Sequence, residues 1–303
     1  MEEAIGKARV LIEALPHIRS FRRKFVVVKM GGSAMDDPEV LARFVKDVVF
    51  MEQVGMWPVL VHGGGPRISA EMERAGVEPV FVEGHRVTTP EVIEIAARVL
   101  IEEVSSNICD LVEEGGGKAI PLNGRGSSFL MGRKRKVPGS PDVDLGLVGD
   151  VTQVDSEACY RLADGGLIPV VAPIARMDPG EPHSKKDFGF SGGVPLLNVN
   201  GDAAASAIAA ALGAEKIVFL SNVPGVMRDS DDPSSLESSL TRGRVEELIK
   251  DGTIAGGMLP KVRSCLDAID AGVRKAHIVS ALVPHALLLE MFTDKGIGTE
   301  ITA

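Results

Sequence analysis

The chain predicts an α/β fold, a three-layer αβα sandwich around a largely parallel central sheet, and three features carry that prediction. Apolar strand patterns alternate with amphipathic helix patterns along nearly the whole length, and strands separated by helices imply parallel crossovers. The run FVVVKM, residues 25–30, is apolar enough to be buried on both faces, as a strand in the middle of a parallel sheet must be. Twice within the first seventy residues, at KMGGS and HGGGP, a strand runs into glycines and then into a helix, and the C-terminal ends of such strands are where α/β sheets place their ligands. The 303 residues, 45% of them hydrophobic, suffice for a large core, as one unit or two lobes.

The elements follow in chain order. EAIGKARVLIEALPHIRSF puts Ala4, Ala8, Leu11, Ile12 and Leu15 on one stripe, so residues 1–22 form an amphipathic helix ahead of the first core strand. Periodicity leaves packing on its own domain and packing between subunits equally open. After the first strand, Val40, Leu41, Phe44, Val48 and Met51 mark a helix that Asp37 caps before Pro38 and Gly55 follows. WPVLVHGGGP repeats strand, glycines and a helix from near Pro66, and VFVEGHRVTTP predicts a short hairpin leading to a helix capped by Thr88 or Thr89. KAIPLN and LIPVVAPI are further strands. AAASAIAAALGA is a small-residue helix started by Asp202 and ended by Gly213, EKIVFLSNVPGV a strand, GGMLPKVRSCLDAIDAG a glycine-led helix, and KAHIVS the closing strand. Residues 123–143 and 178–194, rich in Gly, Pro, Ser and charge, read as loops or hairpins. No internal repeat is evident.

Several classes are excluded. Every apolar run is broken by charge or glycine within about 8 residues, too short to span a membrane. Glu2, Glu3 and Glu13 interrupt the start, so no secretory signal is expected there, and a cytoplasmic protein is expected. Cys109, Cys159 and Cys265 are odd in number, far apart and without a C-x-x-C pair, so they read as core residues rather than disulfides or a zinc site. A net charge of −9 gives no footing for nucleic acid. The basic cluster GRKRK, 132–136, reads as a solvated loop. Neither a dinucleotide-binding G-x-G-x-x-G nor a phosphate-binding G-x-x-x-x-G-K-[ST] is present.

The chemistry-bearing residues gather where the sheet's C-terminal edge should lie. Glycines in KMGGS and HGGGP let successive backbone N–H groups approach an anion, aided by the positive end of the following helix. Lys29, directly after FVVV, must sit at the lip of the core with a partner, and Lys261 begins a glycine-led helix at the same edge. Asn198 offers a donor and an acceptor to a small polar substrate; Asp202 either caps its helix or holds lysines; Arg86 can grip a carboxylate bidentately. His62 reads as a packed or hydrogen-bonded histidine.

KMGGSAM, VHGGGP, GHRVT, LNVNGD, LSNVPG and GGMLPKV, in this order from Phe25 to Thr299, resemble the N-acetyl-L-glutamate kinases of the amino acid kinase superfamily. The resemblance implies the amino acid kinase fold, with an acyl-amino-acid-binding lobe at about 23–200 and a nucleotide-binding lobe at about 201–303. It implies ATP-dependent phosphorylation of the γ-carboxylate of N-acetyl-L-glutamate in arginine biosynthesis. Lys29 and Lys261 are then expected to stabilise transition-state charge, with Asp202 orienting them. Gly64 and Gly65 present N–H groups to the substrate, Arg86 holds its α-carboxylate, and Asn198 its acetamido or carboxylate region. Gly31 and Gly32 cradle phosphates, and Leu220, Ser221, Asn222, Gly225, Thr253, Gly257 and Met258 belong to nucleotide-binding stretches. Mg²⁺ is expected on the nucleotide phosphates, with no protein ligand set. No general base is needed, because a γ-carboxylate is ionised at neutral pH.

The N-terminal helix together with PHALLLEMFTDKGIGTEI is similar to the arginine-inhibited members of that family. This implies a hexamer, a trimer of dimers interlaced through the helices, with L-arginine contacting Lys216, His277, Glu290 and Gly296. His17 departs from the tyrosine of the ALPYIR pattern, and residues 178–194, with Lys185 and Lys186, are longer than the family's hairpin. A sibling kinase acting on aspartate, glutamate or a carrier-linked aminoadipate, and a catalytically silent amino-acid sensor, are the competing expectations; a missing lysine would mark the sensor, and both lysines are present.

Overall fold

A computed structural model of the chain describes residues 1–137, 143–183, 193–229, 231–293 and 296–303. Lys185 and Lys186 lie outside these residues, as does most of the 178–194 segment that contains them.

FVVVKM forms β1 (Phe25–Met30), with every residue buried. β1 pairs in parallel with β2 (Trp57–His62) on one side and β11 (Lys216–Ser221) on the other. They lie in an eight-stranded sheet of order β12-β14-β13-β11-β1-β2-β8-β5, completed by β5 (Ala119–Leu122), β8 (Ile168–Val171), β12 (Ser239–Thr241), β13 (Lys275–Ser280) and β14 (Thr299–Thr302). The six strands from β13 to β5 run parallel, and β14 is antiparallel to β13. Helices cover both faces. α2 (Pro38–Gln53), α5 (Ser105–Glu114) and α10 (Ala286–Phe292) form one layer, and α7 (Gly201–Ala211) with α9 (Met258–Asp270) the other. Asp37 caps α2 by accepting from the N–H groups of Glu39 and Val40, and all five predicted apolar positions of that helix are buried. Alanine lets α7 lie close to β1 and α9: Ala204, Ala205 and Ala209 are fully buried, and Ser206 Oγ donates to the Ser264 carbonyl 2.8 Å away.

Beside the sheet, β6 (Leu130–Lys134), β7 (Val148–Val154), β9 (Ile174–Met177) and β10 (Leu196–Val199) close into a small four-stranded barrel. This corrects the expectation of a solvated loop at GRKRK: Gly132, Arg133 and Lys134 belong to β6, where Gly132 is buried against Ala175 and Leu197, and Arg135 pairs with Asp150. The hairpin β3 (Phe81–Val82) and β4 (His85–Arg86) leads into α4 (Pro90–Ala97), which Thr89 caps. A π-helical turn, Arg98–Val104, continues α4 into α5. Asn200, not Asp202, caps α7, its side chain accepting from the N–H groups of Asp202 and Ala203. Asp202, as the second helical residue, is therefore free to turn its carboxylate elsewhere.

Among the described residues no helix is long and apolar enough to cross a membrane.

Candidate active site

β1 delivers Lys29 to the C-terminal edge of the sheet, where its Nζ lies 2.7 Å from Asp202 Oδ1. Lys261, one turn into α9, reaches the same carboxylate at Oδ2, 3.2 Å away. One anion thus holds two cations from three separate elements, β1, α7 and α9. Burial lowers the Lys29 pKa below its ordinary value; the charge of Asp202 opposes this and that of Lys261 adds to it. For Asp202, burial pushes the carboxyl upward, but the two ammonium groups outweigh it and hold its pKa below the usual range. The triad keeps a net positive charge, placed where the glycine turns converge.

Those turns touch one another. The Gly63 N–H donates to the Met30 carbonyl at 2.9 Å, and a Cβ at Gly63 would lie 3.4 Å from the Gly31 Cα. A Cβ at Gly31 would collide with the Lys29 ammonium, so glycine there is what allows the lysine to fold back over its own strand end. Gly32 takes a left-handed φ of 72° beside the Asn222 side chain. Beneath the second turn, buried His62 donates from Nδ1 to the Gly63 carbonyl, 3.0 Å, because a carbonyl can only accept. Its Nε2 lies 2.8 Å from the Ser105 hydroxyl. Burial lowers the His62 pKa to about 4, so the ring is neutral near pH 7.

A cleft of about 170 Å³ opens beside these turns, lined by Gly63, Gly64, Gly65, Arg86, Leu100 and Asn198 among others. Arg86 is buried, and its guanidinium donates to the Gly65 carbonyl (3.0 Å) and Ser69 Oγ (2.9 Å) while stacking on the Phe81 ring. No carboxylate among the described residues pairs with it, and burial lowers its pKa. A buried cation without an anion carries a desolvation cost that an anionic guest would relieve. Asn198 also lines the cleft, its Nδ2 donating to Thr88 Oγ1 at 3.2 Å.

The residues expected on the nucleotide side are dispersed. Ser221 and Asn222 end β11 at the edge beside Gly32, and Gly257 and Met258 begin α9 one turn ahead of Lys261. Leu220 is buried and lines a small cavity together with Val40, Phe44 and Leu287. Gly225 is packed against Thr299, which takes the Val226 N–H on its hydroxyl. Thr253 sits in a turn held by Asp251.

A second cavity, about 680 Å³, lies at the opposite edge of the sheet and is lined by His17, Lys216, His277, Glu290, Gly296 and Glu300, among others. Glu290 Oε1 is 3.2 Å from Lys216 Nζ and 2.6 Å from His277 Nδ1. Burial pushes the Glu290 carboxyl upward, and the contacts with His277 and Lys216 more than offset it, so its pKa is lowered. Four residues scattered from 216 to 296 meet here. Sequence reasoning had no signal for Asp47 of α2, buried, whose Oδ1 lies 2.7 Å from His285 Nδ1 and pins the start of α10, the helix that carries Glu290.

A parallel sheet that gathers glycine turns, two lysines on one carboxylate and an unpaired arginine at one edge defines an enzyme that moves a phosphoryl group between anions. The sequence model described as the amino acid kinase family matches residues 24–280. The acetylglutamate kinase of Heliobacterium modesticaldum is 42% identical over 99% of both chains, and that of Symbiobacterium thermophilum 43% over 99% of both. Among solved structures, N-acetylglutamate synthase from Neisseria gonorrhoeae, complexed with coenzyme A and N-acetyl-glutamate, superposes with a TM-score of 0.81 at 24% identity; the match covers 98% of this chain and 63% of that one. The chain belongs to the amino acid kinase family, in its acetylglutamate kinase branch.

Proposed function

We propose that this chain transfers the γ-phosphoryl group of ATP to the γ-carboxylate of N-acetyl-L-glutamate, forming N-acetyl-L-glutamyl 5-phosphate and ADP in the cytoplasmic synthesis of arginine. The observation that carries this is the Lys29–Asp202–Lys261 triad, next to Gly201 in the lining of a cleft that holds a buried arginine without a carboxylate partner.

Arg86 binds the substrate α-carboxylate, Asn198 meets the acetamido region, and the N–H groups of Gly64 and Gly65 orient the γ-carboxylate and the moving phosphoryl group. The carboxylate oxygen forms the new bond to phosphorus as the bond to the bridging oxygen of ADP breaks, and no proton has to move. Such a transition state needs little covalent help and much positive charge along the line of transfer, which Lys29 and Lys261 supply. Asp202 keeps the two ammonium groups from swinging apart. Gly31 and Gly32 cradle the phosphates, with Ser221, Asn222, Gly257 and Met258 beside the nucleotide. The donor set suits a Mg²⁺ carried by the phosphates: Asp202 is occupied by lysines, and among the described residues no three His, Cys, Asp or Glu gather as metal ligands. When bound, that ion supplies further charge neutralisation on the phosphate oxygens. The division of labour runs across one continuous sheet, with residues 23–200 contributing the acyl-amino-acid side and residues 201–303 the nucleotide side.

The second cavity is proposed to bind L-arginine as an inhibitor, with Glu290 pairing the guanidinium and Lys216, His277 and Gly296 completing the site. The helix α1 (Glu2–Phe21) is proposed to interlace dimers into a hexamer; its Leu11 and Ile12 are 67% and 68% exposed in the single chain, which supports a partner for that stripe.

Coupled ADP release with N-acetylglutamate, glutamate, aspartate and a carrier-linked aminoadipate tests the activity, and turnover is expected with the first alone. Light scattering and an arginine titration, on the full chain and on one lacking residues 1–20, test the rest. A full-length dimer defeats the hexamer, and a hexamer indifferent to millimolar arginine defeats the effector site.

A further inference from the structure

Thr88 is fully buried, in contact with two residues that line the cleft, Arg86 and Asn198. Its hydroxyl oxygen lies 2.8 Å from the Arg86 carbonyl, which can only accept, so the hydroxyl's one proton is spent there. The contact to Asn198, 3.2 Å away, must then run the other way, with the amide Nδ2–H donating to Thr88 Oγ1. An asparagine amide has two ends, and this chemistry settles which is which. Nδ2 is turned into the wall, and Oδ1, which takes no hydrogen bond from any described residue, is left as an acceptor.

The backbone reinforces the arrangement. Thr88 N–H donates to the Leu145 carbonyl at 3.0 Å, Leu147 N–H to the Thr88 carbonyl at 2.7 Å, and Asn198 N–H to the Leu147 carbonyl at 2.8 Å. The segment 145–147 therefore holds Thr88 and Asn198 at a set separation. Gly146, at a φ of 70°, permits the close approach, since a Cβ there would collide with the Thr88 carbonyl.

We propose that Thr88 is a positioning residue that sets the polarity of Asn198, so that the cleft offers an acceptor to the acylated nitrogen and selects substrates carrying an N–H at that position. This rests on N-acetylglutamate being the acceptor substrate. A hydroxyl outside the contact surface thereby decides whether the site reads an amide or tolerates an ester. The cost of a mismatch is that of two facing acceptors in a confined cleft, one of them left unpaired.

The test compares N-acetylglutamate with 2-acetoxyglutarate, the ester in which oxygen replaces the amide nitrogen, by coupled ADP release. The wild-type chain is expected to favour the amide by at least about 100-fold in kcat/KM. Thr88→Ser keeps the hydroxyl and is expected to keep the preference. Thr88→Val and Thr88→Ala lack it, free Asn198 to turn over, and are expected to raise the KM for N-acetylglutamate by about 10- to 100-fold, with the KM for ATP unmoved and the amide preference reduced by at least about tenfold. Thermal melting identifies which of the two apolar variants is folded, and either suffices. A purely structural role for Thr88 would lower both substrates together and leave their ratio alone; that result, or Thr88→Ser behaving as Thr88→Val, overturns the proposal. A wild-type chain that releases no ADP with N-acetylglutamate overturns the functional assignment beneath it, and the inference with it.

Discussion

Lys29, near the C-terminal end of β1, and Lys216, at the N-terminal end of the adjacent β11, stand at opposite edges of one sheet in matching arrangements. Each is buried against a carboxylate that a second nitrogen base shares: Lys261 on Asp202 in one case, His277 on Glu290 in the other. The two sites part in their surplus charge. Asp202 faces two ammonium groups and cannot neutralise both. Glu290 faces one ammonium and an imidazole, and around it Lys275 pairs with Glu300 and Arg274 with Glu215. A centre left positive attracts a polyanion, whereas a balanced cavity suits a guest that carries both signs. The lesson is that charge left uncompensated after folding, more than charge itself, separates the proposed site of chemistry from the proposed effector site.

The largest effect should come from unbalancing the first site. Lys29→Ala or Lys261→Ala is expected to lower kcat by about 10²–10³-fold with a much smaller change in KM, because each charge acts on the transition state. Near-full turnover in either folded variant would remove the assigned role. At the second site Lys216→Ala leaves Glu290 with the imidazole alone; it should cost about 3 kcal/mol of stability in urea unfolding and abolish the response to arginine, while kcat falls less than about tenfold. If Lys216→Ala instead slowed turnover as severely as Lys29→Ala, the distinction between the two edges would collapse.

The smallest effect concerns the neutral group beneath the glycine turns. His62 has a pKa of about 4 in the folded chain against the ordinary 6.5 of an unperturbed histidine. The unfolded state therefore binds the extra proton between those values. Stability from this group is complete above about pH 6.5 and declines as pH falls towards 4, by at most about 3 kcal/mol. Urea midpoints at about pH 7, 6 and 5 should show that decline, and His62→Gln should flatten it; an unchanged wild-type midpoint across this window would mean the ring is accessible to protons in the fold. Lys29 and Arg67, the cations whose charge reaches the ring, oppose its protonation.

Much of the first site was legible because its signals are local. A strand apolar on both faces has to be central, and a lysine ending it has to find a partner, so β1 and Lys29 followed from the residues themselves. The helix start at α7 was not, since Asn200 and Asp202 are both capping residue types and only backbone geometry shows which one turns back. The same ambiguity covered Thr88 and Thr89. The barrel strands escaped because LMGRK and VGDVTQV mix glycine and charge over five to seven positions, too short and too polar for a clear period. The cavity around Glu290 draws on residues from 17 to 300 that no spacing connects; family resemblance pointed to them, and the fold brings them together.

The π-helical turn at Arg98–Val104 has a consequence for chain length. Ser105 N–H donates to the Leu100 carbonyl, five residues back, where an α-helix would reach back four. That wider winding stacks positions five apart on one side. Leu100 lies under Gly64, where a Cβ would come within 2.6 Å of it, and Ser105 holds His62. An ordinary helix would rotate one of the two away. The segment acts as a spacer carrying one surplus residue, so a deletion there would tighten the winding and release one end of the glycine turn even if every named side chain survived. At this point in the molecule the count of residues is as binding as their identity.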